Sequence, residues 1–347
     1  MYFCTWGNSK KAMKIREIGE QGLLEILQRF CPPGIVGDDG AVLAISPGRD
    51  LVVTTDVLVD GVHFSDRTTS PESAGWRAAA ANLSDLAAMG ASPLGITVGL
   101  SLPPDVPVIW VERLYQGLTA CLQQYNTYIV GGDICRSPVI TVAITAFGEV
   151  SPSHIIRRSA ARVGDAIVVT GVHGASRAGL ELLLDPDKGQ HLSESDRAYL
   201  IQAHQHPHPR LDVLPRLWEI LDYQSKIQVA GMDSSDGLAD AVVQICRCSG
   251  VGARIDRSRI PIPPALSQMV TPEQALNWAL YGGEDFELVL CLPQELAQPL
   301  VERLGDRSAI IGAIATGSDI LLVDSTGVHP DQHLNLTQGF QHFSTRG

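Results

Sequence analysis

No Walker A loop, Gly-x-x-x-x-Gly-Lys-[Ser/Thr], occurs in the 347 residues, and no protein-kinase catalytic signature does either. If the chain handles ATP, it must hold the phosphates through metal ions, backbone N–H groups and a few side chains. Phosphoryl transfer permits this, because its catalysis is mostly positioning and charge neutralisation. Positive charge is also short: 26 Lys and Arg stand against 38 Asp and Glu, for a net charge of −12. That excludes a non-specific nucleic-acid binder, which needs a basic surface, but leaves metal-holding carboxylates open. No apolar run is long enough to span a membrane. The opening segment lacks the apolar core and small-residue cleavage site of a signal peptide. A cytoplasmic protein without a membrane partner is expected. Met13 stands as an alternative start to Met1, and residues 1–14 read as an N-terminal extension. The seven cysteines are odd in number and none has zinc-site spacing, so reduced thiols are expected. No short-period repeat is present.

What is there is an ordinary globular composition, 45% hydrophobic and 18% charged, in a chain long enough for two domains. The boundary is placed near residue 151, giving domains 15–150 and 151–347. Apolar periodicity predicts a helix over 15–30. Residues 41–45 and 51–55 read as strands of a hairpin around Pro47-Gly48. Ser70-Pro71-Glu72 opens a helix running to Gly90, with an N-cap, an N1 proline and an acidic first turn. A strand over 94–100, a helix over 108–125, a short strand over 128–130 and a half-buried strand over 139–147 follow. In the second half, residues 166–170 form an apolar strand, and the polar, His- and Pro-rich stretch 185–209 reads as containing an exposed connection. The fold class expected is α+β (mixed α/β).

The acidic residues fall where strands meet glycines. Asp38 and Asp39 lie in a glycine-flanked turn. Asp56 follows the strand ending Thr54-Thr55. Asp133 follows a strand and Gly131-Gly132. Asp233 and Asp236 lie in Gly231-Met232-Asp233-Ser234-Ser235-Asp236-Gly237, and Glu284 and Asp285 follow Gly282-Gly283. Each could be only a turn. Five together also suit a hard divalent cation such as Mg²⁺, which takes a few carboxylates plus phosphate oxygens and water. Asp85 differs: it sits near the C-terminal end of an alanine-rich, buried-looking helix, where the helix dipole disfavours negative charge. Two readings stand for it, a bound metal or a salt bridge to Arg77 or a more distant arginine.

The blocks Val36–Ala41, Thr54–Phe64, Asn82–Gly90, Gly131–Asp133, Asp233–Leu238 and Gly282–Leu288, in this order, resemble the bacterial thiamine-monophosphate kinases. These belong to the aminoimidazole-ribonucleotide-synthetase-like superfamily. The resemblance runs from about residue 15 to Phe343. It implies a two-domain fold whose N-terminal domain lends strands to a barrel at a homodimer interface, and whose C-terminal domain is α+β. The activity implied is ATP-dependent phosphorylation of thiamine monophosphate to thiamine diphosphate with Mg²⁺, the final step in making that product. Carried over position by position, Asp38, Thr54, Thr55, Asp56, Asp85, Asp133, Asp233 and Asp236 resemble metal ligands. Tyr115, Gly132, Asp133, Arg158 and Ser235 resemble ATP contacts, and His63, Glu284 and Phe340 substrate contacts. No covalent nucleophile is implied, and transfer would be direct and in line. The chain departs from the family at Ile134, where threonine is usual, and at Met232.

Other residues have blander readings. His63, a lone histidine beside a strand end, suits a contact better than a base. His204, His206 and His208 suggest a metal cluster, but Pro207 and Pro209 favour an exposed loop. Cys246 and Cys248 read as unrelated thiols on a helix. Arg157 and Arg158 read as a solvated pair, unless the family role brings Arg158 to phosphate. A non-catalytic protein on the same scaffold would have lost several of these carboxylates, and all are present.

Overall fold

A computed structural model of the protein describes residues 13–36, 40–221 and 227–339. The chain forms two compact units. The first is residues 1–47, 51–83 and 93–149; the second is residues 48–50, 84–92 and 150–347.

The first unit opens with α1 (Ile15–Leu27), which continues as a 3₁₀ turn over Gln28–Phe30. Then come β1 (Asp50–Val59), α2 (Pro71–Ala88), β2 (Ser92–Leu102), α3 (Val108–Gln123), β3 (Ile129–Arg136) and β4 (Thr141–Val150). The strands form one sheet in the order β1-β4-β2-β3, with β2 and β3 parallel. Helix α2 starts as its sequence predicts: the Ser73 N–H donates to Ser70 Oγ at 3.2 Å, with Pro71 in the first turn. It stops at Gly90, whose φ of 76° lets the Ala91 N–H reach back to Leu86 C=O at 2.8 Å. The last turn of α2, from Ser84 onward, belongs to the second unit.

Three strand expectations need correction. Residues 41–45 form no strand, so no hairpin turns at Pro47-Gly48. Val42 is 94% exposed, and the Ser46 N–H and hydroxyl both bond the Glu149 carboxylate at 2.8 Å. Strand β1 lies beside β4 instead, a partner as long as itself. Asp56 therefore lies within β1, not after it. Likewise β3 runs through Gly131-Gly132-Asp133 instead of ending before them, because β2 continues alongside and pairs Val98 with Gly132 and Gly99 with Asp133.

The second unit holds β5 (Ala166–Val169), α4 (Ala175–Leu184), α5 (Glu194–Gln205), α6 (Val213–Leu221), β6 (Ala230–Asp233), α7 (Leu238–Ser249) and β7 (Gly252–Asp256). After these come α8 (Pro272–Tyr281), β8 (Leu288–Leu292), α9 (Gln294–Leu304), β9 (Ala309–Ala315), β10 (Ile320–Val323) and β11 (Gln332–His333). Its seven-stranded mixed sheet has the order β11-β10-β7-β9-β5-β8-β6. Strands β5 and β8 are buried on both faces, which is why they read as unbroken apolar runs. Ile167, Val169, Val289 and Cys291 pack with α7. Ala166, Val168, Leu288 and Leu290 pack with Leu217 of α6 and Leu300 of α9.

The stretch 185–209 does contain the exposed connection expected, over 185–193, but the rest of it is ordered. It contains α5, capped by Ser193, and Pro207 and Pro209 are buried. The reason is Gly179 of α4: a Cβ there would overlap the Leu200 carbonyl oxygen, so its absence lets α5 lie directly on α4.

Candidate active site

Within the first unit, strand alternation sorts the residues of β1. Thr54, Asp56 and Leu58 take the more buried face, and Leu51, Val53, Thr55 and Val57 the exposed one. The Thr54 and Thr55 side chains thus point to opposite faces, and Thr55 Oγ1 hydrogen-bonds Thr145 Oγ1 of β4 at 2.9 Å. Asn82 of α2, fully buried, holds β1 in place. Its Oδ1 accepts the Asp56 backbone N–H at 3.1 Å, and its Nδ2 donates to Ala78 C=O at 3.0 Å. In the turn after β1, His63 Nδ1 accepts the Val59 N–H at 3.0 Å. A neutral imidazole that accepts at Nδ1 carries its hydrogen on Nε2, so His63 presents a donor.

A cavity of about 660 Å³ opens in this unit beneath α1. It is lined by Leu27, Thr97, Tyr115, Gly132, Asp133 and Thr145, among others. Three of the residues read as ATP contacts therefore share one cavity. Tyr115 is buried in α3, and burial together with the nearby Cys31 thiol raises its phenol pKa. Gly132 is required for a steric reason: a Cβ there would overlap the Val98 carbonyl oxygen of β2. The strand can thus come close to a neighbour only as glycine, with Asp133 exposed beside it.

In the second unit the turn after β6 gathers another set. Asp233 is 2% exposed, and its two oxygens accept from Ser84 Oγ at 2.7 Å and Ser235 Oγ at 3.1 Å. Asp236 is exposed, and Asp85, beside Ser84, is half-buried. Ser234 turns inward: its Oγ accepts the Glu287 N–H at 3.2 Å and lies 3.1 Å from His173 Nε2. The facing loop, Gly282–Glu287, carries left-handed backbone at Gly283, Glu284 and Phe286, with φ of 67°, 60° and 52°. Two of these are not glycine, a costly arrangement that the surroundings must impose. The Glu284 N–H donates to Ser235 C=O at 2.7 Å. Asp285 accepts the Gly174 and Ser176 N–H groups at 2.7 and 2.9 Å, capping α4, while burial pushes its pKa up to about 7. Glu287 is ion-paired with Arg210 and accepts from Thr170 Oγ1 at 2.6 Å.

Arg158 is exposed in a 3₁₀ turn, Arg158–Ala160, anchored by Ser249 Oγ donating to its carbonyl at 2.8 Å. Asp38 and Phe340 lie outside the described residues. Among the described residues, no group of three or more His, Cys, Asp or Glu side chains lies close enough to hold a metal ion. Sequence reading did not assign roles to Asn82, Ser84, His173 or Arg210. The first two carried a signal, as polar side chains on a helix otherwise apolar enough to be buried. Arg210 and His173 carried none, because their partners lie 77 and 61 residues away.

Two family models match the chain. AIR synthase related protein, N-terminal domain, matches residues 37–150, and AIR synthase related protein, C-terminal domain, matches residues 162–324. A thiamine-monophosphate kinase of Synechococcus elongatus is 52% identical over 333 residues, covering 95% of this chain and 98% of its own. Among solved structures, thiamine-monophosphate kinase from Stenotrophomonas maltophilia K279a is similar with a TM-score of 0.74 and 33% identity, covering 86% of this chain and 94% of its own. AaThiL, solved in complex with AMPPCP and TMP, gives a TM-score of 0.69 and 32% identity, covering 94% of this chain and 99% of its own.

Proposed function

The chain belongs to the thiamine-monophosphate kinase family, among the AIR synthase related proteins, and from that we infer that it transfers the γ-phosphate of ATP to thiamine monophosphate, yielding thiamine diphosphate and ADP. The observation that carries this reading is the cavity shared by Tyr115, Gly132 and Asp133. Its volume suits a nucleoside, and its walls are mostly apolar with a few polar groups, as small-molecule sites are. By the family resemblance, Arg158 and Ser235 are also assigned to ATP. Glu284, His63 and Phe340 are assigned to the acceptor.

The donor set fits Mg²⁺ by chemistry, being carboxylates and hydroxyls without a soft ligand. Asp38, Thr54, Thr55, Asp56 and Asp133 are the candidates from the first unit, and Asp85, Asp233 and Asp236 from the second. When bound, the metal neutralises phosphate charge and so lowers the repulsion between the two anions. The protein groups do the rest by holding position. Asn82 fixes Asp56, and Ser84 and Ser235 orient the two oxygens of Asp233. His63 offers its Nε2 hydrogen to an anion. The acceptor is a phosphate oxygen that is already largely ionised at neutral pH, so neither a general base nor a covalent nucleophile is needed, and transfer is direct.

We further propose a two-fold homodimer. Strand β1 ends its sheet among the described residues, and it presents Leu51, Val53 and Val57 to solvent. An apolar sheet edge of this kind is normally covered, and a second copy would cover it by barrel closure. No helix among the described residues is long and apolar enough to cross a membrane.

The test is turnover of purified protein with ATP, Mg²⁺ and thiamine monophosphate. Equal amounts of ADP and thiamine diphosphate are expected. ATP hydrolysis without phosphorylated acceptor would overturn the assignment. With γ-labelled ATP and no acceptor, label held on the protein and later passed on at a competent rate would overturn direct transfer.

A further inference from the structure

The histidine- and proline-rich stretch ending at Arg210 has no part in the scheme above, yet it grips the Glu284 loop at two points. At one end Arg210 pairs with Glu287 and donates to Thr170 C=O at 2.7 Å. At the other, His204 in the last turn of α5 is 2% exposed, and its Nδ1 lies 3.2 Å from Ser176 Oγ and 3.6 Å from Glu284 Oε2. The 3.2 Å approach to Ser176 is a hydrogen bond, whereas the 3.6 Å approach to Glu284 is an ion-pair contact longer than one. Ser176 is also tied to the loop, since its N–H donates to Asp285. Each carboxylate of the loop thus has its own anchor: His204 for Glu284, the start of α4 for Asp285, and Arg210 for Glu287. Glu284 keeps 35% of its side chain open to solvent, against 16% for Glu287. It is held and reachable at once.

We propose that His204 is a positioning residue that aims the Glu284 carboxylate at the acceptor substrate. The inference rests on Glu284 contacting thiamine monophosphate. Buried and braced by Ser176, the imidazole limits the rotamers open to Glu284, so less ordering remains to be done when the acceptor binds. Its loss should raise KM for the acceptor and leave the ATP side untouched.

Two substitutions separate this role from mere packing. In His204→Asn the amide nitrogen falls near the position of Nδ1; in His204→Gln it falls nearer Nε2, away from Glu284. We expect His204→Gln to raise KM for thiamine monophosphate by roughly tenfold, the effect of one partly buried polar contact to a carboxylate, with kcat and KM for ATP within about twofold. His204→Asn should stay within about threefold of the wild type. In a Glu284→Ala background, His204→Gln should add nothing further. Equal KM values for the Asn and Gln variants, or the same rise with and without Glu284, would overturn the proposal. Wild-type protein that does not phosphorylate thiamine monophosphate would instead refute the functional reading, and this inference with it.

Discussion

His173 lies wholly inside the second unit, and burial holds its imidazole pKa down to about 4, against an ordinary value of 6.5. The unfolded chain takes up this proton as pH falls below 6.5, whereas the folded chain does not until near pH 4. The unfolded state therefore binds more protons across that window, and stability falls as the solution is acidified. The full loss is about 3 kcal/mol between pH 6.5 and pH 4. Urea unfolding at pH 7 and pH 4.5 should show a smaller acid loss for His173→Asn than for the wild type; equal losses would contradict the assignment. At the site itself, Asp56→Asn and Asp85→Asn each remove a charge without changing shape. Activity should fall by on the order of a hundredfold or more while circular dichroism stays native. Near-normal turnover of a folded Asp85→Asn protein would remove Asp85 from the metal set. The residues named in these tests differ in how far the sequence exposed them. Asp56 and Asp85 stand out because a carboxylate after an apolar strand or in an alanine-rich helix is conspicuous. His173 is not, since burial of a histidine between distant segments leaves no local pattern.

At the level of elements, the three helices expected in the first half, α1, α2 and α3, were placed well, while the bounds of α4–α9 were not anticipated. Helix α2 matched to its N-cap serine and its terminal glycine, and α3 came within two residues of its expected end. Strands fared worse for a specific reason. Both β1 and β3 run on through polar and glycine residues because a partner strand lies alongside, and a partner's length cannot be read from one strand's own composition. The missed order in 185–209 has the same origin. Polar sequence became a packed helix because Gly179, some twenty residues earlier, leaves room for it. Gly179→Ala should therefore destabilise the protein by about 1–3 kcal/mol, as overpacked sites do. A urea midpoint unchanged from wild type would show that α5 can shift at little cost.

For the whole molecule, assembly hangs on the exposed edge of the first unit. Val53 is 53% exposed on β1 between Leu51 and Val57. If a second copy covers this edge, light scattering at micromolar concentration should give twice the chain mass. Val53→Lys should shift it towards the single-chain mass without loss of secondary structure. A monomeric wild type would contradict the dimer. One other feature bears on how such a chain could have been put together. Because the end of α2 is packed with the later unit, Ala87 and Ala88 sit in the core formed around β5 and β8, and Ser84 supplies a hydrogen bond to Asp233. Cutting the gene between residues 149 and 150 would not yield two modules with intact interiors. The later piece would lose part of its core and one anchor of its aspartate. The two halves are thus poor candidates for separate inheritance, shuffling or fusion to other proteins, and recombination that respects this fold has to carry the short segment 84–92 along with the distant half it completes.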